Sequence, residues 1–180
     1  LKIASVIGAN FQRSLLSRVH PLNNAGFMLP SQLDTLTNKK LLRLESPAPK
    51  WEYVFHNIMA QEVVYEGLLL AQRRQLHATV GVALEDLAPD AVERLAFHYN
   101  RSDNWEKALY YLKVAGQKAQ REYANHAAIR YYTEILDCLV NRAATEPGGT
   151  IISPEYWDIL LERAKLYNLI GWRDEEVEDL

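Results

Sequence analysis

The sequence feature that most constrains the fold is a run of large and small residues between positions 92 and 115. Two predicted helices carry this run, and the polar turn Asn100-Arg101-Ser102-Asp103 joins them. Small residues let two helix backbones approach closely, while large residues fill the space beside them. The spacing therefore predicts a pair of antiparallel helices that touch at Leu95, Ala96, Tyr99, Ala108, Leu112 and Ala115.

The same spacing continues into a second set of residues, which shares one helix with the first. Its members are Leu112, Ala115, Gly116, Ala119, Ala128, Tyr132 and Ile135. The layout resembles the tetratricopeptide (TPR) helical hairpin, although it lacks a regular repeat period. TPR-like helices stack into scaffolds that bind other proteins. We expect helices over residues 90–101, 104–123, 126–141, 154–170 and 173–180.

Local signals support the ends of one of these helices. Ser153 followed by Pro154 is typical of a helix start, since Ser can cap and Pro fits the first helical position. Gly171 is typical of a helix end, because glycine adopts the left-handed conformation easily.

Short helices are also predicted at the start of the chain. Residues 1–8 are apolar and helical in pattern. Asn10 is placed to cap a second helix, and Pro30-Ser31 begins a third. The intervening residues 22–29 are rich in Asn and Gly and are predicted to form a loop.

Two short strands follow these helices. Residues 42–45 and 51–55 alternate apolar and polar side chains, which is the period of a half-exposed strand. The segment Ser46-Pro47-Ala48-Pro49-Lys50 contains two prolines and favours a stiff hairpin loop between them. Helices followed by such a hairpin are typical of a winged helix.

A helical pattern resumes from Asn57 and ends at Ala88-Pro89-Asp90. Gly67 allows a break within it. Proline cannot continue a helix and Asp can cap the next one, so residues 88–90 mark the clearest boundary. The predicted buried side consists of Val63, Val64, Leu68, Leu76, Val80 and Leu84. The fold class is thus mainly α, with a winged-helix domain and its following helices over 1–88 and a TPR-like array over 89–180.

Composition disfavours several classes of function. The net charge of −3 and the isoelectric point near 6.0 argue against a protein that binds nucleic acid or anionic membrane. The single cysteine, Cys138, excludes an internal disulfide and a cysteine-based zinc site, and it favours a cytoplasmic location. No pair of histidines has the spacing of a helical metal site, and no apolar run has the length of a membrane span.

The two ends of the sequence suggest part of a longer protein. Residues 1–8 lack the basic segment and cleavage site of a signal peptide and instead resemble a helix entered midway. Residues 174–180 stop inside a helical pattern. We therefore expect this chain to be a fragment.

Several segments together carry a family resemblance that covers most of residues 1–141. They are Leu1 to Gly8 with Phe11, Tyr53-Val54-Phe55-His56, Glu62 to Glu66, Arg73, Leu76, His77, Leu95 to Tyr99 and Trp105 to Ala108. In order and spacing they resemble the segment that follows the nucleotide-binding core of bacterial STAND-class signalling ATPases, of the kind fused to adenylate or guanylate cyclase domains. In that family a winged helix packs on the ATPase core, and a helical array senses a partner.

The resemblance implies a non-catalytic regulatory module that couples binding of a partner protein to an ATPase core elsewhere in a longer chain. This sequence contains no Gly-x4-Gly-Lys-Ser/Thr loop to cradle phosphates. We therefore expect no enzyme activity and no cofactor in this chain, with ATP or ADP bound elsewhere in the parent.

In related ATPases a histidine after the wing strand reaches the nucleotide's β-phosphate, and His56 falls at that place. The alternative is that His56 only caps or packs the next helix.

Aromatic residues crowd the second half of the chain. Neighbouring tyrosines lie about 100° apart on a helix, so both members of a pair cannot face one core. We predict partner-binding roles for Tyr110, Tyr131 and Trp157, because exposed aromatic anchors are common in protein recognition. The alternative is that these rings pack on the next helix.

The second functional hypothesis is a DNA-binding winged-helix regulator with a helical sensor region. Its recognition helix would span about residues 31–41 and present Gln32, Asp34, Thr35, Asn38, Lys39 and Lys40. Two lysines against one aspartate leave few cations for phosphate contacts, so a protein partner is favoured over nucleic acid.

Overall fold

The computed structural model describes residues 1–20, 25–145 and 153–171. These residues form nine helices and one three-stranded antiparallel sheet, so the fold is mainly α. The chain divides into two compact units, Leu1–Pro89 and Asp90–Leu180. The sequence places this boundary between residues 88 and 89.

The first unit contains five helices and three strands among its described residues. In chain order they are α1 (Lys2–Ile7), β1 (Asn10–Gln12), α2 (Arg13–Val19), α3 (Ala25–Asn38), β2 (Leu42–Ser46), β3 (Glu52–Phe55), α4 (Ile58–Glu66) and α5 (Leu70–Leu87). The two predicted strands are confirmed as β2 and β3. The strand order is β1-β3-β2, and β3 runs antiparallel to both neighbours.

One face of this sheet belongs to the core of the first unit. Successive side chains of a strand point to opposite faces, so Tyr53 and Phe55 share one side of β3, and both are buried. The ring of Phe11 in β1 lies 6.0 Å from the Tyr53 ring and 6.2 Å from the Phe55 ring. Strand pairing thus joins an aromatic cluster from distant parts of the chain.

The strand β1 corrects a sequence prediction. We expect a helix cap at Asn10, but residues Asn10–Gln12 pair with β3, and α2 begins only at Arg13 without a side-chain cap. The burial of Phe11 against the rings of β3 explains the difference, because such tertiary contacts override the weak local preference of Asn for a cap.

Helix α3 also begins earlier than the sequence predicts. The predicted loop over residues 22–29 and helix start at Pro30 are wrong for residues 25–30, because α3 starts at Ala25 and contains Pro30. Proline inside a helix removes one backbone hydrogen bond. Leu29 and Leu33 lie one turn apart and are both buried, so burial on either side of Pro30 offsets that loss. Residues 21–24 lie outside the described chain.

Helices α4 and α5 are separated by a short break, as predicted at Gly67. The Oδ1 atom of Asn57 accepts a hydrogen bond from the backbone N–H of Met59 at 2.8 Å and caps α4. Arg73 stabilises the backbone at this break, since its guanidinium donates to the carbonyl oxygens of Leu68 at 3.0 Å and Glu66 at 2.6 Å.

The predicted buried side of this segment is only partly correct. Leu68, Val80 and Leu84 are buried, whereas Val64 and Leu76 are half-buried. Val63 is 67% exposed, so its assignment to the core is wrong. The whole of α4 contains no buried residue.

The second unit contains four described helices, namely α6 (Val92–Asn100), α7 (Trp105–Arg121), α8 (Asn125–Thr145) and α9 (Pro154–Ile170). Each helix packs on the next one in the chain. The predicted start of α9 at Ser153 is confirmed, because its side chain accepts a hydrogen bond from the N–H of Tyr156. The predicted end is also confirmed, since Gly171 has a φ of 80°. The helix predicted over 173–180 lies outside the described residues.

None of the helices in the described ranges is both long enough and apolar enough to cross a lipid bilayer.

Candidate functional site

The predicted packing positions lie inside the helical array of the second unit. All nine are buried, and they are Leu95, Ala96, Tyr99, Ala108, Leu112, Ala115, Gly116, Ala128 and Tyr132. Tyr99 stacks on Tyr111 with ring centroids 5.4 Å apart and an interplanar angle of 5°. The hydroxyl of Tyr99 accepts a hydrogen bond from Lys107 at 3.2 Å. These residues therefore build the scaffold and are not accessible to a partner.

Gly116 marks the closest approach of α7 to α8. A Cβ atom at this position would lie 2.9 Å from Cε1 of Tyr132, which is shorter than an ordinary contact. The ring cannot move away freely, because the hydroxyl of Tyr132 donates a hydrogen bond to Oε1 of Gln120 at 3.0 Å. Burial, together with the nearby Glu162 carboxylate, raises the pKa of Tyr132 above its usual value, so the hydroxyl stays a neutral donor.

We expect Gly116→Ala to destabilise the protein by about 1–2 kcal/mol, because overpacking outweighs the better helix propensity of Ala. The measurement is urea unfolding followed by circular dichroism. In a Tyr132→Leu background the same substitution should become neutral or stabilising, since the obstructing ring is gone. An equal effect of Gly116→Ala in both backgrounds would contradict this packing.

Side-chain hydrogen bonds also connect the helices of this array. The Asn100 amide donates to the Glu134 carboxylate at 2.8 Å, and the Arg163 guanidinium donates to the Thr133 hydroxyl at 2.9 Å. Lys118 and Glu93 form an ion pair at 2.6 Å. Their hydrogen bond is the main reason that the pKa of Glu93 is lowered and that of Lys118 is raised. Since both side chains are partly exposed, solvent screens this pair and its contribution is small.

The predicted partner-binding aromatics occupy different environments. Tyr110 is 62% exposed and Trp157 is 46% exposed, so both lie at the surface. Tyr131 is half-buried against the core of the second unit. In each tyrosine pair one ring lies deeper, namely half-buried Tyr111 and buried Tyr132. Tyr110 and Trp157 are therefore accessible to a partner, whereas Tyr131 is largely committed to the scaffold.

A shallow groove of about 440 Å³ opens beside Tyr110. Its lining residues are Trp105, Glu106, Leu109, Tyr110, Lys113 and Glu155. The guanidinium of Arg142 lies 3.7 Å from the ring centroid of Trp105, which is a close cation–π contact. The groove thus combines aromatic faces with charges of both signs, a mixture suited to binding a peptide segment.

Sequence reasoning did not select Trp105, Leu109 and Lys113 as a group. A signal was present, because residues four apart lie on the same face of a helix. The predicted packing positions Ala108, Leu112 and Ala115 lie on a different side of α7 from these three residues.

His56 lies at the surface between β3 and α4. Its backbone N–H donates to the carbonyl oxygen of Leu41 at 3.0 Å, which places the residue at the end of the strand. Its side chain is exposed and forms no hydrogen bond or ion pair with the described residues. The role of helix cap belongs to its neighbour Asn57, so the capping alternative for His56 is wrong.

The outer side of α4 was not predicted as a surface feature. Ile58, Met59 and Val63 are all exposed there, together with Glu62 and Glu66. We refer to these five residues as the α4 face. The spacing assigns Val63 and Val64 to the buried side of the helix, as is usual for apolar residues, and makes no assignment for Ile58 and Met59.

The described residues contain no cluster of three or more His, Cys, Asp or Glu side chains placed to hold a metal ion. Cys138 is half-buried, and burial raises the pKa of its thiol above the usual value. A raised pKa keeps the thiol protonated and unreactive at neutral pH.

Comparisons with protein-family models, with curated protein sequences and with solved structures found no match to this chain.

Proposed function

We propose that this chain is a non-catalytic regulatory module of a larger signalling ATPase, which couples binding of a partner protein to the nucleotide-binding core. The observation that carries the proposal is the helical array of the second unit, which buries its packing residues, exposes Trp157 and places exposed Tyr110 in the lining of a shallow groove. An array of this kind suits protein recognition.

The first unit supports a winged-helix assignment. A winged helix combines short helices with a small antiparallel sheet whose last two strands form the wing. Here α1, β1, α2, α3, β2 and β3 follow one another in the chain, and the strand order is β1-β3-β2. His56 directly follows the last strand of this sheet, at the place where related ATPases have a nucleotide-sensing histidine. We propose that its exposed ring approaches bound nucleotide when the core of the parent docks.

The second unit supports a TPR-like assignment. Small residues Ala96 and Ala108 are buried where α6 and α7 pack on each other, and Tyr99 and Leu112 are buried with them. Gly116 and Tyr132 make the corresponding close approach between α7 and α8. This agrees with the large and small alternation from which the assignment started.

The DNA-binding alternative is less well supported. The helix α3 exposes Gln32, Asp34, Thr35 and Asn38, and Lys39 and Lys40 follow it. The hydroxyl of Thr35 is already bonded to the carbonyl oxygen of Ser31 in the same helix. Binding to duplex DNA depends mainly on neutralised phosphates, and this helix offers few cations for that purpose.

The test is a pair of binding titrations. We expect the coding region upstream of this chain to specify a nucleotide-binding domain, and this chain should bind that domain and alter its rate of ATP hydrolysis. The chain alone should hydrolyse no ATP, and at physiological salt it should not bind random duplex DNA. Tight DNA binding without binding to the nucleotide-binding domain would reverse the order of the two hypotheses.

A further inference from the structure

The helix α4 leaves three large apolar side chains in solvent while other side chains of the same helix contact the rest of the first unit. Its inner side forms hydrogen bonds with the rest of the first unit. The Gln61 amide donates to the carbonyl oxygen of Ser5 at 2.7 Å. Tyr65 shares a hydrogen bond of 3.0 Å with Nε2 of buried His77. An amphipathic helix normally turns its apolar residues inward. Here Val64 is only half-buried, and Ile58, Met59 and Val63 remain in solvent.

The exposure of the α4 face is large and continuous. Ile58, Met59 and Val63 are 59%, 60% and 67% exposed, within two turns of helix. Two further exposed leucines, Leu69 and Leu70, follow at the start of α5. Single exposed apolar residues are ordinary, but a group of them on one helix typically marks an interaction site.

Charge distinguishes the α4 face from a purely apolar patch. Glu62 and Glu66 lie one turn apart on the same exposed side, and neither forms an ion pair with any described residue. The helix α4 contains no Lys or Arg. A partner that covers the apolar residues must therefore also meet two carboxylates.

We propose that the α4 face docks an amphipathic helix of a partner protein that combines an apolar stripe with Lys or Arg residues. The partner's apolar stripe would cover Ile58, Met59 and Val63, and its cations would pair with Glu62 and Glu66. Complementary charges of this kind favour the correct partner and disfavour others. The inference rests on the proposed function as a protein-interaction module, and it gives that module a surface and a partner chemistry.

The same charges argue against other occupants. In a symmetric dimer through this face, the carboxylates of the two copies would approach one another without a cation between them. An anionic lipid surface attracts basic segments and would be repelled by Glu62 and Glu66. A basic amphipathic helix satisfies both the apolar and the charged residues.

The experiment measures binding of two labelled helical peptides to the full 180-residue chain by fluorescence anisotropy. One peptide has a leucine stripe flanked by lysines, and the other has glutamates in place of the lysines. We expect the lysine peptide to bind at least about tenfold more tightly. The double variant Glu62→Lys/Glu66→Lys should reverse this preference, while the matched control Glu122→Lys/Asp137→Lys on the second unit should preserve it.

A second pair of variants tests the apolar part. Met59→Ser/Val63→Ser should weaken binding of the lysine peptide at least about tenfold, whereas Leu169→Ser, an exposed leucine on α9, should not change it. Circular dichroism checks that each variant is folded, which is expected because every substituted residue is exposed.

Three outcomes would overturn the inference. They are equal binding of the two peptides, a preference unchanged by Glu62→Lys/Glu66→Lys, and self-association of the chain that Met59→Ser/Val63→Ser abolishes. The proposed function is tested separately by binding to the nucleotide-binding domain. If that domain binds while the peptide preference is absent, the inference fails alone; if the peptides behave as expected and the domain does not bind, the proposed function fails alone.

Discussion

Leu112→Ala should lower the free energy of unfolding by about 2–5 kcal/mol. Leu112 is fully buried in the middle of α7, the helix that packs on both α6 and α8. Removal of its branched end leaves a cavity, and two packed neighbours restrict the collapse that would fill it. Urea unfolding followed by circular dichroism measures the change.

The neighbouring residue supplies a matched control. Lys113 is exposed on the same helix, so Lys113→Ala should change the stability by no more than about 0.5 kcal/mol. Similar losses for Leu112→Ala and Lys113→Ala would contradict the burial of Leu112 between the helices.

Ala108→Leu should destabilise the protein by about 1–3 kcal/mol, because three added carbon atoms must enter a contact that is already filled. Ala108 is buried near the start of α7, and this helix packs against α6. A longer side chain at this position pushes the two helices apart. The melting temperature of the variant gives the measurement.

The corresponding control is an alanine outside the core. Ala144 is exposed near the end of α8, and Ala144→Leu should change the stability by less than about 0.5 kcal/mol. An unchanged melting temperature for Ala108→Leu would show that the helix register derived from the sequence is wrong.

The second unit is easier to predict from sequence than the first. Its helices are specified by contacts between segments that lie close together in the sequence. The helix ends near Ser153 and Gly171 follow from local chemistry, namely a side-chain cap and a left-handed glycine. The buried positions Ala96 and Ala108 follow from periodicity across one short turn. Such signals lie within a few residues of the structure that they specify.

The errors in the first unit arise from contacts between distant segments. Asn10 has the chemistry of a helix cap, yet Phe11 beside it joins the rings of Tyr53 and Phe55. Pro30 has the chemistry of a helix start, yet burial of Leu29 and Leu33 carries α3 through it. In both cases tertiary packing decides between alternatives that local preference alone ranks the other way.

The candidate binding surfaces also differ in whether they follow from nearby residues or from contacts between distant segments. Exposure of Tyr110 follows from its position beside Tyr111, because two adjacent residues cannot face one core. Exposure of Val63 does not follow from its own sequence neighbours. It depends on the orientation of α4, in which Gln61 and Tyr65 face the first unit and form hydrogen bonds with Ser5 and His77.

The position of β3 in the sheet has a consequence for how the chain folds. This strand is the last of the three to be synthesised but lies at the centre, where Asn10 faces Val54 on one side and Leu44 faces Tyr53 on the other. The hairpin of β2 and β3 closes only a short loop, whereas β1 has to wait for β3 and close a long loop to pair with it. The helices of the second unit need only find the next helix in the chain, and local contacts of this kind form faster. A ribosome would thus release the slower unit first and the faster unit second, which gives the sheet additional time to assemble before the helical array is complete.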